Sequence, residues 1–297
     1  MATDPAPDPL LDRARHLPCW RGAVSLEPLS GGLSNRNYRA RDDEGEWVVR
    51  LAGEVPEHGI FRANDIAASR AAAAAGIAPE LRYAEADALV IRFIGGRALV
   101  EDDIRNGATR RRVAELLHRT HHEVGRHLRG PAVMFWVFHT LRDYAIQLRD
   151  TPDDGDLNRL ASIVDGLERA VGPIEVVFGH NDLLPANIID DGDRLWLIDW
   201  EFAGYGSPLF DLGNLASNAH LDEPDWHDLL TAYFGRPPDG DLLRRAGAMR
   251  VASLLRETLW ARVAKRYRRV AVDFESYAAE HLERFEAAHQ TFLREHR

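Results

Sequence analysis

The residues best suited to chemistry lie in the second half of the chain, where His180, Asp182 and Asn187 follow the pattern H-x-D-x-x-x-x-N. Twelve residues after Asn187, Asp199 follows the apolar run 195–198. Transfer of a phosphoryl group to a hydroxyl needs a carboxylate that takes the hydroxyl proton, oxygen ligands for magnesium, and a cation on the phosphates. We therefore predict Asp182 as the base, and Asn187 and Asp199 as Mg²⁺ ligands.

The same pattern has a plainer interpretation, which is a capped turn with surface acids between two strands. The H-x-D-x-x-x-x-N spacing alone would favour that interpretation. A second aspartate at a suitable distance, strands on both sides and a β-rich sequence upstream favour phosphoryl transfer instead. The pattern also resembles the protein-kinase loop H-R-D-L-x-x-x-N and its D-F-G segment, with Asn181 in place of arginine and Trp200-Glu201 in place of Phe-Gly.

A longer stretch carries a more specific resemblance. H-N-D-L-L-P-A-N at 180–187, followed by L-I-D-W-E-F-A-G-Y-G-S-P-L-F-D-L-G-N at 197–214, resembles the choline/ethanolamine kinase family. That family is grouped with the aminoglycoside phosphotransferases in the protein-kinase-like superfamily. The resemblance extends from about residue 20 to the last helices and is weakest between about 100 and 170. It implies ATP and Mg²⁺ as ligands, and Asp211 as a brace for the catalytic loop.

The segment L-S-G-G-L-S-N-R-N-Y at 29–38 resembles the hairpin with which that family covers the phosphates. Gly31 and Gly32 let the backbone approach a ligand closely, and Ser34, Asn35 and Asn37 offer donors to phosphate oxygens. Taken alone, the segment would favour an ordinary β-turn. Together with the downstream motif it predicts a phosphate-binding hairpin.

The cation on the phosphates is not a lysine, because the chain's single lysine is Lys265. A β-rich run offers Arg50 instead, and the resemblance pairs it with Asp65 on the next helix, where the family usually has glutamate. Arginine is longer than lysine and aspartate is shorter than glutamate, so we expect the two changes to compensate. The alternative for Arg50 is a surface charge on a strand. The strand-to-linker segment 92–94, with Phe93 and Ile94, is predicted to contact adenine.

The acceptor is predicted from aromatic and acidic residues, which together recognise ammonium groups. Glu201 and Tyr205 follow the catalytic motif, and Glu257 and Trp260 share a helix face at i and i+3. The family places a helical tryptophan of this kind in its amino-alcohol pocket, so we predict a small cationic alcohol such as choline or ethanolamine. Trp260 could instead be a core aromatic, and Glu257 a solvated helix charge.

Two other functions compete with this prediction. An aminoglycoside or thiamine kinase would share every catalytic residue and differ only in the acceptor pocket. A non-catalytic nucleotide-binding protein would bind ATP without turnover. The full set of Asp182, Asn187, Asp199 and Arg50 argues against the second alternative.

The element pattern predicts an α+β, two-lobed protein-kinase-like fold. Short β-rich runs at 24–29, 37–41, 46–51, 81–84 and 88–94 surround a helix at about 60–75, and they predict a small β-rich N-lobe over residues 1–96. Helical periodicity at 104–122, 136–148, 157–171 and beyond 209 predicts a larger helical C-lobe over residues 97–297. Ligands favour the cleft between two such lobes.

Composition bears on the partners of the protein, on membrane insertion and on its location. A net charge of −10 argues against nucleic-acid binding, and no apolar run approaches the roughly 20 residues that span a bilayer, which predicts no membrane insertion. The single cysteine fits a cytoplasmic location, and residues 1–10 are interpreted as a frayed leader and not a secretory signal. His118, His121 and His122 could bind zinc but are interpreted as surface or partly buried side chains. We expect a monomer or a homodimer.

Overall fold

The computed structural model of the protein describes residues 8–29, 36–267 and 273–296. The first part of the chain contains a helix α1, five strands, a 3-10 turn and a second helix. These are α1 (Pro9–Arg15), β1 (Ser25–Leu29), β2 (Arg36–Asp42), β3 (Gly45–Leu51), the turn Pro56–His58, α2 (Arg62–Ala74), β4 (Leu81–Glu85) and β5 (Ala88–Arg92). The strands form one antiparallel sheet in the order β1-β2-β3-β5-β4.

All five predicted strands are confirmed, with ends that differ by no more than two residues. Alternate side chains of β2 and β3 enter one apolar cluster, which includes Tyr38, Trp47 and Val49, as expected for a sheet with one buried face. The helix α1 packs on the same cluster through Ala14. The interpretation of residues 1–10 as a frayed leader is wrong at its end, because α1 begins at Pro9 with Asp8 as its N-cap.

The rest of the chain is mainly helical, with two small three-stranded sheets. The strands are β6 (Arg97–Ala98), β7 (Val133–Met134), β8 (Val177–Gly179), β9 (Ile188–Asp190), β10 (Leu195–Leu197) and β11 (Gly204–Gly206). The helices are α3 (Glu101–Arg105), α4 (Gly107–Arg119), α5 (Gly125–His127), α6 (Val137–Gln147), α7 (Leu157–Val171), α8 (Pro208–Asn218), α9 (Glu223–Phe234), α10 (Gly240–Tyr267) and α11 (Phe274–Glu295).

The predicted single helix over 104–122 is wrong, because Asn106 ends α3 and starts α4. Asn106 has an extended backbone, and its side-chain oxygen accepts hydrogen bonds from the backbone of Ala108 and Thr109. An asparagine at this position satisfies amides that have no partner inside the helix. At its other end α4 continues into one π-helical turn, Thr120–Val124, before α5. The helices predicted at 136–148 and 157–171 are confirmed.

These elements place two loops side by side. The loop after β8 contains Asp182 and runs into a 3-10 turn, Pro185–Asn187, whose last residue is the predicted metal ligand. The hairpin of β9 and β10 then returns the chain to Asp199. The backbone N–H of Ile198 donates to the carbonyl of Asn187 at 2.9 Å, which fixes the two loops relative to each other. The division of the chain at residue 96 stays a prediction.

The helical core depends on a close approach of α8 and α10. A Cβ atom added to Gly213 would lie 2.8 Å from the backbone nitrogen of Arg250 and 2.9 Å from its Cα. Glycine is required here because the atom opposite is backbone and cannot move aside. Within the described residues, no helix has both the length and the apolar content to cross a membrane.

Gly213→Ala is expected to lower the free energy of unfolding by about 1–3 kcal/mol, because the added methyl group overpacks this contact. Gly166→Ala in α7 is the matched control, since a Cβ there meets nothing within 4 Å. The control should be neutral or stabilising by up to about 1 kcal/mol. Urea unfolding followed by circular dichroism measures both, and equal stabilities for the two variants would contradict the packing argument.

Candidate active site

The loop that carries Asp182 is held by two side chains of α8. The carboxylate of Asp211 accepts hydrogen bonds from the backbone N–H groups of His180 at 2.8 Å and Asn181 at 2.7 Å. The side-chain oxygen of Asn214 accepts from the N–H of Leu183 at 2.5 Å. The predicted bracing role of Asp211 is confirmed by these contacts.

Asn181 has a left-handed backbone with φ of 63°, a conformation that asparagine adopts more readily than most residues. Its side-chain nitrogen donates to the carbonyl of Phe202 at 3.1 Å. The chain therefore turns sharply at Asn181, and Asp182 is the first residue after the turn.

His180 joins this loop to the strand that precedes Asp199. Its Nε2 lies 2.9 Å from the carbonyl oxygen of Ile198, and its Nδ1 accepts from the N–H of Asp182 at 3.3 Å. The two contacts require the proton on Nε2. Burial of the ring lowers the pKa of His180, which keeps the imidazole neutral and consistent with this tautomer.

The carboxylate of Asp182 is paired with an arginine that the sequence analysis did not select. Arg256 donates from one terminal nitrogen to Asp182 at 3.0 Å and to Glu257 at 2.9 Å, and Tyr277 donates to Glu257 at 3.1 Å. Burial raises the pKa of Asp182, although the neighbouring guanidinium opposes this shift. The Asp182 side chain keeps 20% of its surface exposed, so a hydroxyl group can reach it.

The two predicted metal ligands lie in adjacent loops that are joined by the hydrogen bond from Ile198 to Asn187. The side-chain nitrogen of Asn187 donates to the backbone carbonyl of Asp182 at 2.9 Å, which leaves its oxygen as the atom suited to a cation. Asp199, with φ of 66°, is paired with Arg50 at 2.5 Å and keeps 31% of its side chain exposed. Burial and the nearby Glu201 raise the pKa of Asp199 to about 7. A divalent cation would favour the ionised form of this carboxylate.

The predicted pair of Arg50 and Asp65 is present and belongs to a larger buried network. One terminal nitrogen of Arg50 contacts Asp65 and the other contacts Asp199. Arg62 contacts Asp65 at 2.9 Å and Glu201 at 3.0 Å. The alternative of Arg50 as a surface charge is wrong, since Arg50 is buried.

Two of the predicted acceptor residues, Glu257 and Trp260, lie on α10 and contact residues of α11. The ring of Trp260 is half-buried and lies 5.4 Å from His58, 5.8 Å from Phe274 and 5.9 Å from Tyr277 between ring centroids. Glu257 is 7% exposed and is held by Arg256 and Tyr277, so the alternative of a solvated helix charge is wrong. The result is an aromatic wall one helical turn from the residues that contact Asp182.

The other two predicted acceptor residues are not part of this wall. Tyr205 lies on β11, where its ring packs at 5.3 Å against Phe178, and a Cβ on Gly125 would lie 3.6 Å from its hydroxyl. Glu201 is buried beside Arg62. The structure therefore does not bring Tyr205 to the aromatic wall, and it places Glu201 in the network of Arg50 and Asp65.

The predicted nucleotide contacts are only partly described. Ser34 and Asn35 lie outside the described residues, with Gly31 and Gly32. Asn37 lies on β2 directly opposite Arg50 on β3. Phe93 follows β5, where its N–H donates to the carbonyl of Glu46 at 2.9 Å and the Arg39 guanidinium lies 4.1 Å from its ring centre. Ile94 is half-buried in the segment that follows.

Three buried residues of the site were missed from the sequence. Arg62 precedes Asp65 by three positions, a helical spacing that could have indicated the pair. Arg256 stands beside Glu257 within an otherwise apolar stretch of α10, and such a charged dipeptide is a usable signal. His121 contacts Asp211, and nothing in its local sequence separates it from His118 and His122.

Known kinases resemble this chain in sequence and in fold. A probable ethanolamine kinase of Arabidopsis thaliana is 30% identical over 208 residues, a match that covers 64% of this chain and 55% of that protein. The chain thus spans little more than half the length of that relative. A solved choline/ethanolamine kinase family protein of Mesorhizobium loti is 27% identical, with a TM-score of 0.81, over 96% of this chain and 97% of the other. A solved LicA in complex with AMP is 22% identical, with a TM-score of 0.75, over 91% and 93%.

A comparison with protein families identifies the family of the chain. The model of the choline/ethanolamine kinase family matches residues 26–228, a range that contains the sheet, both catalytic-motif loops and α8. The solved relatives share the α+β arrangement of an antiparallel sheet followed by helices. With this match and the arrangement of Asp182, Asn187, Asp199 and Arg50, the chain belongs to the choline/ethanolamine kinase family.

Proposed function

We propose that this protein transfers the γ-phosphoryl group of ATP to the hydroxyl of a small amino alcohol of the choline or ethanolamine type. The observation that carries the proposal is the direct contact between the predicted chemical groups. Asn187 donates to the backbone of Asp182, and Arg50 pairs with Asp199 at 2.5 Å. Membership of the choline/ethanolamine kinase family supports the same reaction, and a solved LicA contains AMP.

In this proposal Asp182 orients the acceptor hydroxyl and takes its proton. The acceptor oxygen bonds to the γ-phosphorus as the bond to the β,γ-bridging oxygen breaks, and ADP leaves. Arg256 holds one oxygen of Asp182, Oδ1, at 3.0 Å. Among the described residues no partner contacts the other oxygen, Oδ2, which is therefore suited to accept the proton.

The residues fit a magnesium ion shared with the nucleotide. Asn187 and Asp199 would hold the ion, which supplies charge neutralisation at the phosphates. Within the described ranges, no group of three or more His, Cys, Asp and Glu side chains could hold a metal by itself. A site of two protein oxygens completed by phosphate oxygens and water matches the usual coordination of Mg²⁺.

The acceptor proposal rests on the aromatic wall. The rings of His58 and Tyr277 lie beside Trp260, Tyr277 donates to Glu257, and aromatic faces attract ammonium groups. Aromatic faces beside one buried acid favour choline or ethanolamine over a polycationic aminoglycoside, which would need a broad acidic cleft. The predicted cytoplasmic location and the monomeric or homodimeric state stay part of the proposal.

The direct test is ADP release from Mg·ATP with choline, ethanolamine, thiamine or an aminoglycoside as acceptor. We expect turnover with an amino alcohol, and we expect Asp182→Asn to lower kcat by about 10²–10⁴-fold because the base is lost. Asp193→Asn, a change in the exposed loop between β9 and β10, is the control that should keep full activity. Nucleotide binding without turnover on any acceptor would instead support the non-catalytic alternative.

Arg50→Lys is expected to lower kcat/KM for ATP about tenfold or more, because one ammonium group cannot replace two guanidinium nitrogens that contact separate carboxylates. Adding Asp65→Glu should recover part of the loss, since the longer acid restores the reach. Arg41→Lys, which changes an exposed side chain near the end of β2, is the control. Full activity of Arg50→Lys in the Asp65 background would show that the two side chains do not compensate each other.

Trp260→Ala is expected to raise KM for the amino alcohol about tenfold, with KM for ATP unchanged, because the cation loses its aromatic partner. Trp260→Phe keeps an aromatic face and should have the smaller effect. Initial rates over a matrix of both substrate concentrations separate the two KM values. An unchanged KM for the amino alcohol in Trp260→Ala would place the ammonium group elsewhere.

A further inference from the structure

The segment 53–60 connects β3 to α2 and contributes one ring to the aromatic wall. The ring of His58, the last residue of the turn, lies 5.4 Å from that of Trp260 between centroids. Nδ1 of His58 also lies 3.2 Å from the hydroxyl oxygen of Tyr144 on α6. A side chain from the first part of the chain thus contacts the tryptophan that is predicted to bind the acceptor.

The ring of His58 lies over Trp260 and not beside it. The two ring planes are inclined by only 32°, whereas Phe274 and Tyr277 meet Trp260 at 73° and 64°. At such distances a small angle is typical of offset stacking, and large angles are typical of edge-to-face contacts. Among these three neighbours, His58 is therefore the one that covers a face of the indole.

This stacking limits where a cation can bind. Trp260 is half-buried, so an ammonium group can reach only the part of the indole that its neighbours leave open. A cation is attracted to an aromatic face within about 6 Å of the ring centroid. The imidazole of His58 occupies that distance on one face, at 5.4 Å. The side chain at position 58 therefore decides how much of Trp260 is available to a ligand.

Hydrogen bonds hold both the turn and the ring of His58 in place. Val55 and Ile60 exchange two backbone hydrogen bonds, at 3.0 and 3.1 Å. The carbonyl of Glu57 accepts from the side-chain nitrogen of Gln147 on α6 at 2.9 Å. With the hydrogen bond to the imidazole, the segment is tied to α6 twice. The imidazole is therefore a fixed boundary of the aromatic wall and not a mobile one.

We propose that His58 is a specificity-determining residue, which covers one face of Trp260 and so restricts the acceptor to compact ammonium groups. The inference deepens the proposed function and rests on it, because Trp260 is taken as the residue that contacts the ammonium group. Ethanolamine and choline carry hydrogen or methyl on nitrogen, whereas longer N-substituents overlap the imidazole.

Steady-state kinetics with choline and with its N,N,N-triethyl analogue test the restriction. We expect His58→Ala to raise the ratio of kcat/KM for the analogue to kcat/KM for choline about tenfold or more, because one methylene in an apolar pocket changes discrimination by about that factor. His58→Phe keeps a ring over Trp260 and should leave the ratio within about threefold of the wild type. His139→Ala is the matched control, since His139 is an exposed histidine of α6.

KM for ATP separates this effect from a disturbed fold. The segment 53–60 lies between Arg50 and Asp65 in the chain, so a disturbed segment would also weaken nucleotide binding. We expect KM for ATP to stay within about threefold in His58→Ala, and a larger rise would attribute the change to the fold and overturn the proposal. An unchanged acceptor ratio, or an equal rise in His58→Phe, overturns it as well.

Cations that lack a hydroxyl distinguish a failure of this inference from a failure of the proposed function. Ligand-observed NMR titrations with tetramethylammonium and tetraethylammonium measure Kd without turnover. We expect His58→Ala to lower Kd for tetraethylammonium about tenfold and to keep Kd for tetramethylammonium within about threefold. If the wild type turns over none of the acceptors, the proposed function fails, and these two Kd values alone decide on His58. Unchanged Kd values, or no binding of either cation, overturn the inference.

Tyr144→Phe takes the place of His58→Ala if that variant does not fold. The change removes the hydroxyl that holds the imidazole and keeps the buried ring. The kinetic ratio should then rise about two- to fivefold, because the imidazole loses one hydrogen bond, and an unchanged ratio overturns the proposal.

Discussion

A carboxylate removed from water must be paired with a cation or with several hydrogen-bond donors, and this constraint shapes the whole candidate site. Asp65 is fully buried and is satisfied by two guanidinium groups, one from β3 and one from α2. Arg50 then reaches Asp199, which is 149 residues further along the chain. The pairing requirement therefore joins the sheet, α2 and the loop after β10.

Reactive and supporting side chains come from different kinds of structure. Asp182 and Asp199 lie on loops, where a carboxylate can remain partly exposed to solvent. The side chains that hold these loops, Asp211, Asn214 and Arg256, lie on α8 and α10, which pack closely at Gly213. Long helices with a fixed contact are better supports than loops, because a small shift of a supporting side chain would displace the reactive carboxylates.

The strands and the reactive residues could be predicted from sequence because both leave local patterns. Short β-rich runs between turn signals identified the five strands, and the spacing of Asp182, Asn187 and Asp199 identified the loops. The break at Asn106 was missed because helical periodicity continues on both sides of it, and only the cap reveals the boundary.

The site residues that the sequence did not reveal contact residues far away in the chain. Tyr205 follows the catalytic motif in sequence, and in the structure its ring packs on Phe178, its cross-strand neighbour on β8. Arg256 and His121 act through contacts with residues 74 and 90 positions away. Sequence spacing within one element carries no information about such contacts, since they are fixed only when the helices pack.

The ion pair between Arg50 and Asp199 also changes how a nucleotide would enter. This guanidinium holds an anion of the chain itself, the carboxylate of Asp199, and the proposed function has the same guanidinium contact a phosphate. Nucleotide binding would then be an exchange of one anion for another and not the filling of an open cationic site. A nucleotide would therefore compete with Asp199 for Arg50, and an anion of low charge would compete poorly.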